Sequence, residues 1–347
     1  MTMRTIVRAV LRSSLRDIRH VQAVSPGRAR GQVARVYEQA QRDFGVLAPP
    51  LALHSAAPEP LAASWLLLRE TLLVEGRVDR AVKETVATEV SRANACPYCV
   101  DVHQATLQAL PAEHAVEPGA TAAVTQWFRE AADGQMSGPA PFTAAEAPEI
   151  LGVALTFHYL NRMVGIFLED SPLPAQTPAA ARGTILRTVA RAMRPVAGPP
   201  VAGAGLDLLP DAPLPEGLEW ASAAPALAAA LGRSAAAVEN AARWVPQAVR
   251  ELLAARLAGW DGAAPGLGSG WLTEALAGLP PQDRPAGRLA LLTAFAAHRV
   301  TGEDIAAVRE QYAHDQKIIE LTSWAALTTA VHLGVRLGAR TSAPLHR

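Results

Sequence analysis

Cysteine is almost absent from this chain: two occur in 347 residues, at positions 96 and 99. A disulfide framework of the secreted type is therefore excluded, because a lone pair three residues apart staples nothing beyond itself. Aromatic side chains are also scarce, at 5% of the sequence, while alanine and leucine abound. That balance disfavours sheets built from β-branched and aromatic residues, and the expected class is all-α. Neither sign of charge is in excess, since Lys plus Arg and Asp plus Glu each number 32. No global field would draw in nucleic acid or an anionic membrane, so the expected partners are small molecules or proteins. Charges and prolines interrupt the hydrophobic stretches short of the roughly 18 residues a membrane span needs, so no span is expected. A signal-peptide core is missing too. Arg4, Arg8, Arg12 and Arg16 recur at helical spacing among Ile6, Val7, Val10, Leu11 and Leu15, which predicts a docked basic helix within residues 1–30 and a cytoplasmic protein.

The length exceeds what one hydrophobic core usually serves, which suggests two units. Ser25-Pro26-Gly27 marks a turn, and helical periodicity follows from Val33 toward Phe44, from Leu61 to Leu73 and from Arg80 to Ala93. Gly76 suits the end of the second helix and Asp79 the N-cap of the third. Asn94-Ala95-Cys96-Pro97 breaks the ladder, and a proline at the first helical position starts a new helix running through Leu107. Ile150 to Phe167 is a long buried helix. Residues 173–215 are proline-dense yet contain a helical stretch from Arg182 to Met193, so they form a structured connection. Further helices are expected at 222–231, 235–257 with a kink at Pro246, 270–279, 288–297, 302–312 and 316–337.

The second half reads as a diverged copy of the first. An ungapped shift lays Glu70, Leu72, Asp79 and Arg80 on Glu274, Leu276, Asp283 and Arg284. In that register Glu84, Cys96, Cys99 and His103 meet Arg288, Val300, Glu303 and Ala307, so the copy at 216–340 keeps packing and loses the reactive groups.

Those groups carry the chemistry. Two cysteines spaced by two residues at a helix start can close a disulfide with little distortion, and helix-terminal N–H groups favour a thiolate there, Cys96 most of all. His103 lies one turn after Cys99 on the same face, where an imidazole can take the thiol proton. The two effects select different nucleophiles. Glu84 alone would be an ordinary surface carboxylate paired with Arg80 or Lys83, and Glu89 is an equally good acid on periodicity. Cys96, Cys99, His103 and His114 could alternatively bind zinc, but their spacing is shorter than a zinc finger needs and no second cysteine pair exists. His158, Asn161 and Arg162 share one apolar helix, where a buried polar contact between helices is the simpler reading than catalysis. Tyr98 is expected to be exposed between the cysteines, and His298, His314 and His332 to be structural or solvent-facing.

The pattern from Glu84 to His103, a glutamate, eleven residues, Cys-Pro-Tyr-Cys, three residues and a histidine, resembles the active-site pattern of alkylhydroperoxidase D-like proteins in the carboxymuconolactone decarboxylase-like superfamily. Arg92-Ala93-Asn94 and Asn161-Arg162 also fit, and the resemblance covers roughly residues 30–170. It implies an all-helical fold in two tandem copies, with a catalytic domain at 31–172. It also implies that Cys99 attacks a hydroperoxide, Cys96 resolves the sulfenic acid as a disulfide, and His103 with Glu84 relays the proton. No bound cofactor or metal is implied; an external dithiol or a lipoylated protein would supply electrons, and helical faces would assemble a low-order homo-oligomer. Tyr98 stands where some members carry a histidine, so the relay would be shorter or pass through the phenol. The superfamily's lactone decarboxylases suggest a lyase as the alternative, and a non-catalytic zinc-binding or assembling protein is the third.

Overall fold

The computed structural model describes residues 14–111, 118–132, 138–196, 198–260, 262–263, 265–266 and 268–341. Among them the regular structure is helical throughout. The first half comprises α1 (Gly31–Asp43), α2 (Pro58–Leu68), α3 (Arg80–Ala93), α4 (Pro97–Ala109), α5 (Pro118–Ala132) and α6 (Ala147–Phe167). Helix α7 (Ala179–Ala192) lies within the proline-dense connection and packs on α4. The second half adds α8 (Pro225–Ala241), α9 (Gln247–Ala258), α10 (Gly270–Leu276), α11 (Arg284–Ala296), α12 (Gly302–Arg309) and α13 (Asp315–Thr341).

Several boundaries depart from the sequence reading. Of the expected basic N-terminal helix, residues 1–13 lie outside the described residues. Residues 14–30 form two short 3₁₀ turns, Leu15–Asp17 and Pro26–Arg28, and the chain between them is anchored by the Arg19 N–H, which donates to the Phe167 carbonyl at 2.8 Å. The expected kink at Pro246 is a full break. Pro246 sits at the N-cap of α9, where its missing N–H costs nothing, and residues 225–241 form one uninterrupted helix before it. Helix α2 starts earlier than expected, with Pro60 near its start, and closes on a π turn at Arg69–Leu73. Asp79 does stand at the N-cap of α3, but its side chain makes no capping bond.

The centre of the molecule is the pairing of α6 with α13. Both helices are apolar nearly all round, as a helix enclosed by neighbours must be. They are also long and apolar enough to cross a membrane, contrary to the expectation that no stretch would be, yet the relevant windows are 89% and 78% buried inside the protein. That burial makes them core helices. Where they cross, a Cβ on Gly334 would stand 2.8 Å from Leu155 Cδ1, so the backbone of α13 approaches α6 as closely as glycine permits. Tyr159 of α6 also donates to Ser323 of α13 at 3.3 Å.

Around this axis α3, α4 and α6 pack together in the first half, and α11, α12 and α13 do so in the second. The shift proposed from sequence places residues 80–93 on 284–297, and α11 occupies Arg284–Ala296. Helix α11 therefore begins where that shift puts the start of α3. Both halves contribute to one continuous apolar core.

The polar interior fixes α3 on α6. Glu149 of α6 receives the backbone N–H of Arg77 at 2.7 Å and the ammonium of Lys83 at 2.7 Å, and Lys83 also reaches the Val74 carbonyl at 3.0 Å. At the other end of α3, Ser91 donates to Asn161 Oδ1 of α6 at 3.1 Å. A buried ammonium and carboxylate satisfied in this way resist sliding, because any shift leaves both charges unpaired in a dry interior.

Candidate active site

The chain turns from α3 into α4 at Ala95, whose φ of 50° is a left-handed conformation that costs a side-chain-bearing residue about 1–2 kcal/mol. Cys96 follows as the N-cap of α4 and Pro97 takes the first helical turn. No side chain caps this helix start, so its first N–H groups are not claimed by a capping residue. Cys96 and Cys99 are both buried as free thiols, with their Sγ atoms 2.7 Å apart. A disulfide of about 2.05 Å needs only a sub-ångström approach from there.

One turn further, His103 Nδ1 stands 2.7 Å from Glu84 Oε2 across the α3–α4 corner. Glu84 is fully buried, and its other oxygen receives Arg80 Nε at 2.7 Å. Burial pushes the Glu84 carboxyl upward, but the Arg80 and His103 charges and hydrogen bonds outweigh it and hold the carboxyl below its ordinary range. An ionised carboxylate only accepts, so Nδ1 of His103 must donate. In the neutral imidazole that orientation leaves the lone pair on Nε2, the atom that can accept a proton. Phe157 of α6 meets the imidazole edge-on at 4.5 Å and fixes its plane. No hydrogen bond joins His103 to either sulfur in this resting arrangement.

The thiol itself is held protonated. Burial, then the hydrogen bond and charge of Cys96, push Cys99 well above the usual thiol range. Helix-start stabilisation alone therefore does not make Cys99 a standing thiolate, and a base is needed at the moment of reaction.

The two glutamates left open by periodicity are separated by the structure. Glu84 faces α4 and His103, whereas Glu89 pairs with Arg129 of α5 at 2.8 Å, five residues further round α3. Tyr98 is corrected: it is buried at 8% exposure, because the start of α4 turns its ring inward. Burial raises its phenol far above the ordinary value, and no hydrogen bond links it to His103 or Glu84. A relay through the phenol is not assembled.

His158, Asn161 and Arg162 lie on the far side of the Cys96 turn and form the buried contact that the sequence favoured. His158 Nδ1 is 3.0 Å from Asn94 Nδ2, Arg162 Nη1 is 3.0 Å from Asn94 Oδ1, and Asn94 Nδ2 also donates to the Val90 carbonyl at 2.9 Å. Asn94 thus anchors the C-terminal end of α3 one residue before Ala95. Sequence reasoning gave Phe157 no specific part, because its contact with His103 joins residues far apart in the chain. Asn94 entered as a helix breaker and within the Arg92-Ala93-Asn94 resemblance, and Arg80 only as a surface partner of Glu84, a carboxylate that the structure instead buries. Of the zinc alternative, His114 lies outside the described residues. Among those described, no three His, Cys, Asp or Glu side chains converge as a metal site.

The model of the carboxymuconolactone decarboxylase family matches residues 59–129, which span α2 to α5 and include both cysteines, Glu84 and His103. A Mycobacterium tuberculosis (strain H37Rv) protein named alkyl hydroperoxide reductase is 34% identical over 352 residues, covering 96% of this chain and 98% of its own. With a match of that extent across both halves, the chain belongs to the carboxymuconolactone decarboxylase family, among its alkylhydroperoxidase D-like proteins.

Proposed function

We propose that the chain is a thiol peroxidase that reduces organic hydroperoxides through Cys99 and Cys96. The observation that carries this reading is the Glu84–His103 pair at 2.7 Å, one turn from two free sulfurs that are themselves 2.7 Å apart. His103 Nε2 takes the Cys99 proton as the thiolate attacks the terminal peroxide oxygen. The O–O bond breaks, Cys99 becomes the sulfenic acid, and the departing alkoxide takes the proton to leave as an alcohol. Cys96 then attacks the sulfenic sulfur, water leaves, and a disulfide remains. An external dithiol, a lipoylated protein being the class the family suggests, restores both thiols by exchange. Residues 31–172 form the catalytic copy and 216–340 the silent one, and the chain assembles into a low-order homo-oligomer through its helical faces. The name of the relative, alkyl hydroperoxide reductase, supports this substrate class.

Intact mass and thiol titration before and after one equivalent of cumene hydroperoxide test the scheme. The wild type should lose both thiols and two mass units, and Cys99→Ser should form no disulfide. Unchanged thiols would overturn it. The family's name also supports a second reading, a lactone decarboxylase, which would retain its activity after both thiols are alkylated.

A further inference from the structure

A cavity of about 440 Å³ lies at the seam of the two halves, behind the Asn94–Ala95 turn. Its size is that of a small-molecule site, which typically spans about 300–1,000 Å³. Neither sulfur lines it. The first half contributes Asn94, Ala95, His158 and Arg162, and the second half contributes an apolar wall of Trp260, Phe295 and Leu337 with Arg336 and Arg340 beside it. Among the described lining residues there are three arginines and no carboxylate.

Arg162 is the informative one. It is 6% exposed, and its hydrogen bonds go to neutral acceptors only: the Ala294 carbonyl at 2.9 Å, the His158 carbonyl at 2.6 Å and Asn94 Oδ1 at 3.0 Å. No acidic side chain among the described residues pairs with it, and its Nη2 has no partner there. Arg69 is an internal control. Buried to 1%, it is flanked by both Asp43 and Glu70, which is how this protein ordinarily compensates an enclosed guanidinium. An uncompensated buried cation is strongly unfavourable, and burial pulls Arg162 down to about 9. Arg162 lines the cavity, where an anion could approach it.

We propose that this cavity is a second binding site, separate from the thiols, for an organic carboxylate with an apolar body. The planar carboxylate matches the guanidinium fork of Arg162, and the body lies against Trp260 and Phe295. A single enclosed guanidinium suits a monoanion, and the aromatic wall excludes a small inorganic ion as the best occupant. The site also gives the silent copy a task, because that copy supplies its apolar wall. Its ligand is coupled to the reactive turn, since Arg162 holds Asn94 and Asn94 ends α3 two residues before Cys96.

The test is calorimetric titration of the full-length reduced protein with octanoate, and with octanamide as its neutral counterpart, while tryptophan fluorescence is followed. Saturable binding of one octanoate per chain is expected, with octanamide at least about ten-fold weaker. Arg162→Met should weaken octanoate at least about ten-fold. Trp260→Leu, a substitution at a half-buried apolar position, should weaken it several-fold and remove the fluorescence change. Cys99→Ser should bind octanoate as the wild type does, so the result is independent of the peroxidase reading. Absence of saturation at millimolar octanoate, equal affinity for the acid and the amide, or undiminished binding in Trp260→Leu would each overturn the proposal.

Discussion

The α3–α4 corner and the α11–α12 corner are the same piece of architecture put to different ends. In the first, Glu84 crosses from α3 to His103 of α4; in the second, Arg288, in the position of Glu84, crosses from α11 to Asp304 of α12. Each copy ties its two helices with one ion pair, but only the first pair contains an imidazole, a side chain that can both donate and accept a proton. The helix starts differ in the same sense. Thr301 caps α12 with a full capping box, accepting from the Asp304 N–H while Asp304 receives the Thr301 N–H. Cys96 begins α4 with no such cap. A helix start satisfied by its own side chains is a stable end, whereas one left open beside a sulfur can stabilise developing negative charge. The difference teaches that the second copy did not merely lose four residues. Its corner was closed by residues that do the structural part of the same job.

The comparison can be broken most directly at the sulfur. Cys99→Ser should abolish peroxide consumption, while Glu303→Ala at the equivalent position should leave it unchanged, as a coupled or direct peroxide assay would register. Next comes the carboxylate: Glu84→Gln should lower turnover about 100-fold by leaving His103 without its orienting acceptor, and Arg288→Gln should leave turnover near the wild-type rate. Because Cys99 is held as a thiol, iodoacetamide labelling at that residue should rise only well above the pH at which an ordinary cysteine reacts, and His103→Ala should not bring it down. Mass spectrometry of the labelled peptide over a pH series checks this.

Acid should then act chiefly through the first half. His54 is enclosed, and burial brings it from 6.5 to about 4, so the unfolded chain binds the proton more readily. Its contribution is present above pH 6.5 and is lost as pH falls toward 4, amounting to about 3 kcal/mol. Glu84, held below 4.5, keeps its contribution above that value and loses it at still lower pH. Urea midpoints at pH 7 and pH 5 should therefore differ in the wild type and differ less in His54→Leu, where buried His158 still keeps part of the dependence, provided that variant folds with the wild-type circular dichroism. The smallest effect is expected at the cap, where Thr301→Ala should cost about 1 kcal/mol without altering turnover. Urea melts and the peroxide assay read the two parts separately.

Much of the site could be read in one dimension because its parts are local. Cys96, Cys99 and His103 lie within one helix, and helical geometry alone puts them on one face. Glu84 was harder. Its distance in sequence from His103 is bridged by the left-handed turn at Ala95, and the choice between Glu84 and Glu89 depends on which way α3 is rolled. That roll is set by Lys83 and Glu149, a contact between residues far apart in the chain. Tyr98 was misjudged for a related reason. A residue between two cysteines at a helix start can face either way, and its burial follows from the neighbours packed over the start of α4.

The sequence by itself determined the all-helical class and the family resemblance, and it put the cysteine pair at a helix start. Composition, periodicity and short spacings are properties that survive in an unfolded chain, and these conclusions needed nothing else. Only the tertiary structure decided which glutamate meets His103, that Cys99 rests as a thiol, and that Arg162 lies buried beside a seam cavity with no acidic partner among the described residues. Each of these depends on desolvation and on contacts between distant residues, and neither exists until the core closes.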